Sequence, residues 1–301
     1  VAGSLAGSQD QESAGGRFIK RRLDAELVRR GLVPSREAAR RLIISKQVLV
    51  DGSFADKPAR MVDGGQAIVF VNPPPPFVSR AGVKLDGALD LFAVDPTGRS
   101  CLDAGSSTGG FTDCLLQRGA ARVVAVDVGT NQLHERIRAD ERVQVLEQTD
   151  VRSLGPDDFE SLFDLIVGDL SFISLRLVLP SLGSLLADGG QMVLLIKPQF
   201  EAGRVEAARG KGIISDPEIW RRTLEEVLSA AAEVGLTALG LAPSAIRGSQ
   251  GNVEFVTWLA DKAFTIEFER RDGARAVPTI HELIQQAVGR ASTDRIQRQK
   301  T

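Results

Sequence analysis

Leu102-Asp103-Ala104-Gly105-Ser106-Ser107-Thr108-Gly109-Gly110-Phe111-Thr112 is an apolar run that turns acidic and then passes into a glycine-rich stretch. The pattern from Ser100 to Ala104 is strand-like and that from Gly109 to Arg118 is helical, so the glycines fall where a Rossmann-type sheet meets a nucleotide-like ligand. Glycine there lets backbone approach a ligand closely. Asp127 closes the next apolar run, Val123 to Asp127, about twenty positions on, where an acid can accept both hydroxyls of a ribose.

Working outward, apolar strand-like and helix-like segments keep alternating. A helix from about Val83 to Phe92 precedes the loop. Val143 to Leu146, Phe163 to Asp169, Leu175 to Leu186, Gln191 to Ile196, Pro217 to Val234, Leu236 to Ala242 and Val253 to Leu259 follow it. Such alternation predicts an α/β domain with a mostly parallel sheet covered on both faces. After Lys262 the chain is charged, with one helix expected from Pro278 through Val288 and a frayed end from Arg295 to Thr301.

On the N-terminal side, residues 1–16 are poor in large apolar groups and are expected to form a flexible tail. Leu23, Leu27 and Val28 mark a short helix closed by Gly31, and Ser35 caps a second one carrying Ala38, Ala39, Leu42 and Ile43. Val48, Val50, the Asp51-Gly52 turn and a last run from Ala67 to Val71 complete a small α+β unit. Pro73 to Pro76 are consecutive prolines, which form a semi-rigid extended spacer. The expected division is therefore a small domain at 17–71, a linker at 72–78, a large domain at 79–262 and an extension at 263–301.

The 301 residues are 43% hydrophobic and 25% charged, enough apolar content to bury a core. No apolar stretch approaches a membrane span and Val1 to Gly16 has no signal-peptide core, so a cytoplasmic protein without a membrane partner is expected. Cys101 and Cys114 lack metal-type spacing and are read as reduced core residues, with no metal called for. The net charge of −2 hides a basic block, because Arg17 to Arg60 holds twelve Lys/Arg against five Asp/Glu. Arg21, Arg22, Arg36, Arg40, Arg41 and Lys46 are its candidates for gripping a polyanion. The protein has no tyrosine, and few aromatics in this unit argue for recognition by shape and phosphate rather than base stacking.

The loop also discriminates between cofactors. Ser107 stands where a dinucleotide loop needs a second bare glycine for pyrophosphate, and Asp103 suits a cation better than a phosphate. S-adenosylmethionine, a sulfonium, is therefore favoured over NAD. Gly105, Ser107, Thr108, Gly109, Gly110 and Phe111 would cradle it with Asp103, Asp127 would hold its ribose, and Asp150 is placed to accept from an adenine amino group. Four further charges fall at strand ends or beside them: Lys84 before the first strand, Asp169 ending the fourth, Lys197 ending the fifth and Glu254 entering the last. Ligands bind at that edge of an open α/β sheet. Lys197 follows Met192-Val193-Leu194-Leu195-Ile196, and desolvation at the rim of a dry strand lowers a lysine pKa and permits base chemistry.

Lys84, Asp169, Lys197 and Glu254 resemble, in order and context, the Lys-Asp-Lys-Glu tetrad of FtsJ-like 2′-O-methyltransferases. Ser79-Arg80-Ala81-Gly82-Val83-Lys84-Leu85, Asp169-Leu170-Ser171-Phe172-Ile173-Ser174, Lys197-Pro198-Gln199-Phe200-Glu201, Gly210-Lys211-Gly212 and Gly251-Asn252-Val253-Glu254 are similar to the TlyA family. The stretch from Arg22-Leu23-Asp24 through Ser35-Arg36 and Val50-Asp51-Gly52 to Lys57-Pro58 resembles the RNA-binding domain named after ribosomal protein S4. Family members carry a small residue where Ile44-Ser45-Lys46 precedes Val48.

The resemblance implies a Rossmann-like S-adenosylmethionine-dependent methyltransferase domain behind an S4-like domain. It implies methylation of cytidine ribose in 16S and/or 23S ribosomal RNA within ribosomal subunits. Lys197 would take or steer the hydroxyl proton, Asp169 would orient the lysines and touch the cofactor, and Lys84 and Glu254 would complete the network. From its residues alone, Gly203 to Ser215, with Arg204, Arg209 and Lys211 among small residues, reads equally as a loop that closes over substrate or as one that is simply mobile. Rival readings are a methyl-inactive RNA-binding scaffold, a membrane-lytic haemolysin-like protein and a nicotinamide dehydrogenase. Against the last, neither His134 nor His281 occupies a catalytic place.

Overall fold

The computed structural model describes residues 20–33, 35–72, 75–248, 250–271 and 277–298. The expected tail at 1–16, Pro73-Pro74 of the linker and the last three residues lie outside these. The chain divides into two compact units, one through Pro75 and one from Pro76.

The first unit runs β1 (Arg21–Arg22), α1 (Leu23–Arg29), α2 (Arg36–Ile44), β2 (Val48–Val50), β3 (Ser53–Phe54), β4 (Met61–Val62) and β5 (Ile68–Phe70). Antiparallel β3-β2-β5 form one small sheet and β1 pairs β4. Helical spacing puts Leu23 and Leu27 on one face of α1 and Ala39 and Ile43 on one face of α2. Both faces close on Val48, Val50 and Val62, all buried. Ser35 caps α2 by accepting the Ala38 N–H at 3.2 Å. Lys46, in the Ile44-Ser45-Lys46 turn where the resemblance leads one to expect a small residue, has a left-handed φ of 55°, which a side chain adopts at a cost that glycine avoids.

The second unit begins with α3 (Ala81–Phe92) and alternates β6 (Ser100–Ala104), α4 (Gly110–Gln117), β7 (Arg122–Val126), α5 (Glu135–Arg138), β8 (Val143–Leu146), β9 (Phe163–Gly168), α6 (Leu179–Leu185) and β10 (Leu186–Ile196). Then come α7 (Pro198–Glu201), α8 (Arg204–Arg209), α9 (Pro217–Glu233), β11 (Thr237–Pro243), β12 (Phe255–Ala260), α10 (Lys262–Arg271) and α11 (Ile280–Arg298). The seven strands lie in the order β11-β12-β10-β9-β6-β7-β8. All run the same way except β12, which is antiparallel to both neighbours. Near-continuous apolar residues in β7, β9 and the second half of β10 follow from burial on both faces. Leu102, Ile166 and Leu194 face one core with α6, α9 and α11, whereas Cys101, Leu165 and Val193 face the other with α3 and α4. Burial pushes both cysteine thiols up to about 12, which keeps them inert as expected of core residues.

The expected loop at 203–215 contains helix α8, and α10 is a helix not expected after Lys262; two further differences have local causes. The segment from Leu175 to Leu186 is not one helix: a single 3-10 turn at Leu175–Leu177 precedes α6, whose second residue is Pro180. The last helix starts at Ile280 and runs on to Arg298. Thr279 and Glu282 cap it reciprocally, the Thr279 N–H donating to the Glu282 carboxylate at 2.8 Å and the Glu282 N–H donating back to Thr279 Oγ1 at 3.2 Å.

Strand order reverses between β6 and β9, whose C-terminal ends are adjacent. That crevice is where an open α/β sheet binds its ligand. Because β12 runs backwards, its N-terminal end also sits there, Phe255 pairing with Ile196. Glu254 and Lys197 are thereby brought side by side from positions far apart in the sequence.

Candidate active site

The four charges expected to converge do so. Lys84 Nζ lies 2.7 Å from Glu254 Oε2 and 3.2 Å from Asp169 Oδ2, and Lys197 Nζ lies 2.7 Å from Asp169 Oδ1. The result is an unbroken line Glu254, Lys84, Asp169, Lys197. Lys197 and Glu254 are buried, at 6% and 4% exposure. Lys197 also donates to Ser171 Oγ at 2.7 Å and to the Asp169 carbonyl at 3.4 Å, and its ammonium stands 5.7 Å above the Phe200 ring. For Lys84, burial opposes the charge, but the Asp169 and Glu254 carboxylates outweigh it and leave the pKa raised.

This line borders a cavity of about 600 Å³ walled by Ser79, Arg80, Phe111, Gln199, Arg247 and Asn252 among others. A second cavity, of about 590 Å³, is walled by Val126, Asp127, Gly129, Thr149 and Asp150. Gly105, Ser107, Asp169, Ser171 and Phe172 border both. Two compartments thus share one wall, and an arm of the tetrad stands in it. Gly105 has a φ of 84°, and a Cβ there would meet Leu170 Cδ2 at 3.1 Å, so glycine both makes the turn and lets it lie against the Asp169 loop.

The remaining loop residues divide. Thr108 and Phe111 border the tetrad cavity with Ser107. Asp127 accepts the Ser107 N–H at 2.8 Å and the Gly129 N–H at 2.7 Å, which fixes its carboxylate while leaving each oxygen a second lone pair. Asp150 borders the second cavity but is already forked by Arg152, at 2.6 Å, which competes with the expected adenine contact. Gly109 and Gly110 border neither cavity. A Cβ on Gly110 would stand 2.2 Å from Ser79 Oγ and one on Gly109 2.8 Å from Leu133 Cδ1, so these glycines serve packing of α4 rather than ligand contact.

Asp103 also differs from expectation. It is fully buried and borders neither cavity, its Oδ2 accepting the Thr112 hydroxyl at 2.6 Å while Oδ1 has no partner. Burial pushes its carboxyl up to about 7. A folded-state pKa above the unfolded one means that the folded protein keeps this proton after the unfolded chain has lost it. Stability should then fall as pH rises from about 4 to about 7 and level off above, by an upper bound of about 4 kcal/mol. Asp103→Asn should remove that slope. Urea midpoints at pH 5 and pH 8 check it, and the same slope in both proteins would count against the assignment.

In the small unit the basic candidates are largely committed. Buried Asp24 takes Arg22 at 3.0 Å, Arg36 at 3.2 Å and Arg40 at 3.5 Å, and the Arg22 guanidinium holds its carboxyl down to about 2. Arg41 pairs with Glu37 at 3.0 Å. Among the described residues Arg21 and Lys46 have no ion-pair partner. A charge count could not reveal Asp24 as a hub, because burial of a carboxylate depends on the cations that fold around it. Sequence reasoning also missed the roles of Ser171, Glu201 and Asn252. Asn252 ties Gly212 and Ile214 to the edge of the tetrad cavity, donating to the Gly212 carbonyl at 2.7 Å and accepting the Ile214 N–H at 2.9 Å.

A family model described as FtsJ-like methyltransferase matches residues 77–261, and an S4 domain model matches residues 21–68. The chain is 47% identical over 239 residues to the 16S/23S rRNA (cytidine-2′-O)-methyltransferase TlyA of Mycobacterium tuberculosis, covering 79% of this chain and 89% of the relative. The chain belongs to the TlyA family. Another relative, Hemolysin A of Brachyspira hyodysenteriae, is 36% identical, over 78% of this chain and 98% of its own. A solved structure from Streptococcus thermophilus is 37% identical, with a TM-score of 0.66 over 94% of this chain and 99% of its own. As a TlyA-family chain it combines an S4 domain with a Rossmann-like methyltransferase domain, as the sequence pattern leads one to expect. No helix among its described residues is long and apolar enough to cross a membrane, and no described His, Cys, Asp and Glu cluster could hold a metal ion.

Proposed function

We propose that this chain methylates the ribose 2′-hydroxyl of cytidine in 16S and/or 23S ribosomal RNA, using S-adenosylmethionine and acting on the RNA within ribosomal subunits. The observation that carries the reading is a tetrad that lines one cavity and reaches, through Asp169, into the wall shared with the second. The names of the TlyA-family relatives support the substrate class.

The residues fit the cofactor. The second cavity offers Asp127 for ribose hydroxyls, apolar Val128 and Ile173 for a base, and the turn at Gly105 to Ser107 leading to the shared wall. S-adenosylmethionine brings an electrophilic methyl on a positively charged sulfur. On the other side, Lys84, Lys197, Asp169 and Glu254 hold and move the proton of a hydroxyl donor. Lys84 lies between two carboxylates and stays an ammonium, holding Asp169 and Glu254 in place. Lys197, facing one carboxylate and the Ser171 hydroxyl, accepts the proton or steers it away as the oxygen becomes nucleophilic. Because these groups are drawn from water, their fields act strongly on a developing alkoxide. In the S4 domain, Arg21, Lys46 and the half-exposed guanidiniums around Asp24 supply phosphate contacts that position a folded RNA.

Transfer of labelled methyl to purified small and large subunits should leave one alkali-resistant dinucleotide per target, because a methylated 2′-oxygen cannot assist backbone cleavage. Binding of S-adenosylhomocysteine without any resistant dinucleotide would favour the methyl-inactive scaffold. Release of dye from liposomes would favour the membrane-lytic reading instead.

A further inference from the structure

The wall between the cavities is a loop, residues 169–174, that is held in a demanding conformation. Phe172 has a φ of 64° and is 91% exposed, a backbone state unfavourable for a large side chain unless its surroundings impose it. The Asp169 N–H donates to the Ala104 carbonyl at 3.2 Å, which ties the loop's start to β6. Lys197 holds Asp169 and Ser171. The far end of the loop is held by a residue that borders neither cavity. Glu201, buried at 5% exposure, accepts the Ser174 hydroxyl at 2.5 Å on Oε2 and the Leu175 N–H at 2.7 Å on Oε1.

Lys197 is the N-cap of the single turn α7, and Glu201 is the last residue of that turn. One rigid turn therefore grips the loop at both ends, with Phe200 between them packed on Phe172 at 5.1 Å between centroids. Arg176 braces the clamp, its Nε 3.6 Å from Glu201 Oε2 and its Nη1 2.9 Å from Glu226. Burying a carboxylate is costly. Burial raises the Glu201 pKa in spite of the three donors around it. A carboxylate retained at such cost, two hydrogen bonds deep in one loop, is best accounted for by what that loop does.

We propose that Glu201 is a positioning residue for methyl transfer: by fixing Ser174 and Leu175 it sets the loop that carries Asp169, Ser171 and Phe172, and so aligns the two cavities. The proposal rests on reading their shared wall as the place of transfer. It does not require Glu201 to touch either ligand.

Hydrogen exchange on the full chain tests the clamp independently of activity. In Glu201→Ala, exchange across residues 170–176 should accelerate about tenfold or more, with β9 and β10 unchanged, and protection of the loop by S-adenosylhomocysteine should be lost. In Glu201→Gln the amide oxygen can still accept the Leu175 N–H and the amide nitrogen can donate to Ser174 Oγ, so exchange and turnover should stay within several-fold of the parent. Ser174→Ala, which removes the Glu201 contact and the one Ser174 Oγ accepts from Arg176 Nε at 3.2 Å but leaves the Leu175 N–H on Glu201, should give an intermediate acceleration, and it serves if the Glu201→Ala protein does not fold. Turnover on ribosomal subunits should fall about a hundredfold in Glu201→Ala with KM for RNA little changed. Parent-like exchange at 170–176 in both Glu201→Ala and Ser174→Ala, or only in Ser174→Ala where the other is unfolded, would overturn the proposal. Parent protein that fails to methylate RNA, with the exchange pattern intact, would instead remove the substrate reading and leave the clamp standing.

Discussion

Lys197→Ala is expected to reduce methyl transfer by about 10²- to 10⁴-fold, the usual contribution of a positioned proton acceptor, while affinity for S-adenosylhomocysteine stays within several-fold. The asymmetry follows from place. Lys197 borders the tetrad cavity and not the one that holds Asp127, so its loss should be felt in turnover rather than in cofactor binding. It is a better candidate than Lys84 because Lys84 is claimed by two carboxylates, at 2.7 and 3.2 Å, and its raised pKa keeps it charged. Lys197→Arg separates taking the proton from steering it. Arginine keeps the charge but cannot give up its own proton near neutral pH. Recovery of much of the activity in Lys197→Arg would mean that a fixed cation suffices, and a dead arginine variant would mean that a neutral amine is needed. Full activity in Lys197→Ala, read by single-turnover transfer, would remove Lys197 from the chemistry.

What the sequence could reveal of this site was the part written in local pattern. Apolar runs leading into Asp169 and Lys197 announce strands whose ends reach the ligand edge, and β9 and β10 end there. The place of Glu254 was not legible in that way, because it depends on β12 running against its neighbours, and an apolar run has no visible direction. Partner choice among charges was likewise hidden. Arg22, Arg36 and Arg40 read as candidates for gripping a polyanion, but the buried Asp24 draws all three, since tertiary approach and not spacing decides which ions meet. Gly109 and Gly110 read as ligand-facing because loop glycines often are, whereas close packing on Leu133 and Ser79 is what demands them here. Glu201 stood in the Lys197-Pro198-Gln199-Phe200-Glu201 motif without a role of its own: one glutamate at the end of a four-residue turn becomes informative only when Ser174 and Leu175 are seen against it.

Asp169→Asn should be costlier than the loss of Lys197 in stability and different from it in binding. Asp169 is the only tetrad member that touches both lysines and the only tetrad member that borders both cavities. Asparagine keeps the shape but removes the charge that offsets two nearly buried ammonium groups, and truncating one partner of a buried ion pair commonly costs about 3–5 kcal/mol. Glu254 still answers Lys84 at 2.7 Å, so the lower end, about 3 kcal/mol, is expected, measured as a shift in urea midpoint. Binding should show the other half of the effect. The sulfur of S-adenosylmethionine is positive and that of S-adenosylhomocysteine is neutral, so removing a carboxylate from the shared wall should weaken the first by about tenfold, or 1.4 kcal/mol, and the second much less. Calorimetry with both ligands on the parent and the Asn variant reads that difference directly. Equal weakening of the two would mean that Asp169 acts through loop shape alone. Selective weakening of the cationic ligand is what a charge placed beside the reacting sulfur requires, because a side chain that merely held the loop could not tell the two ligands apart.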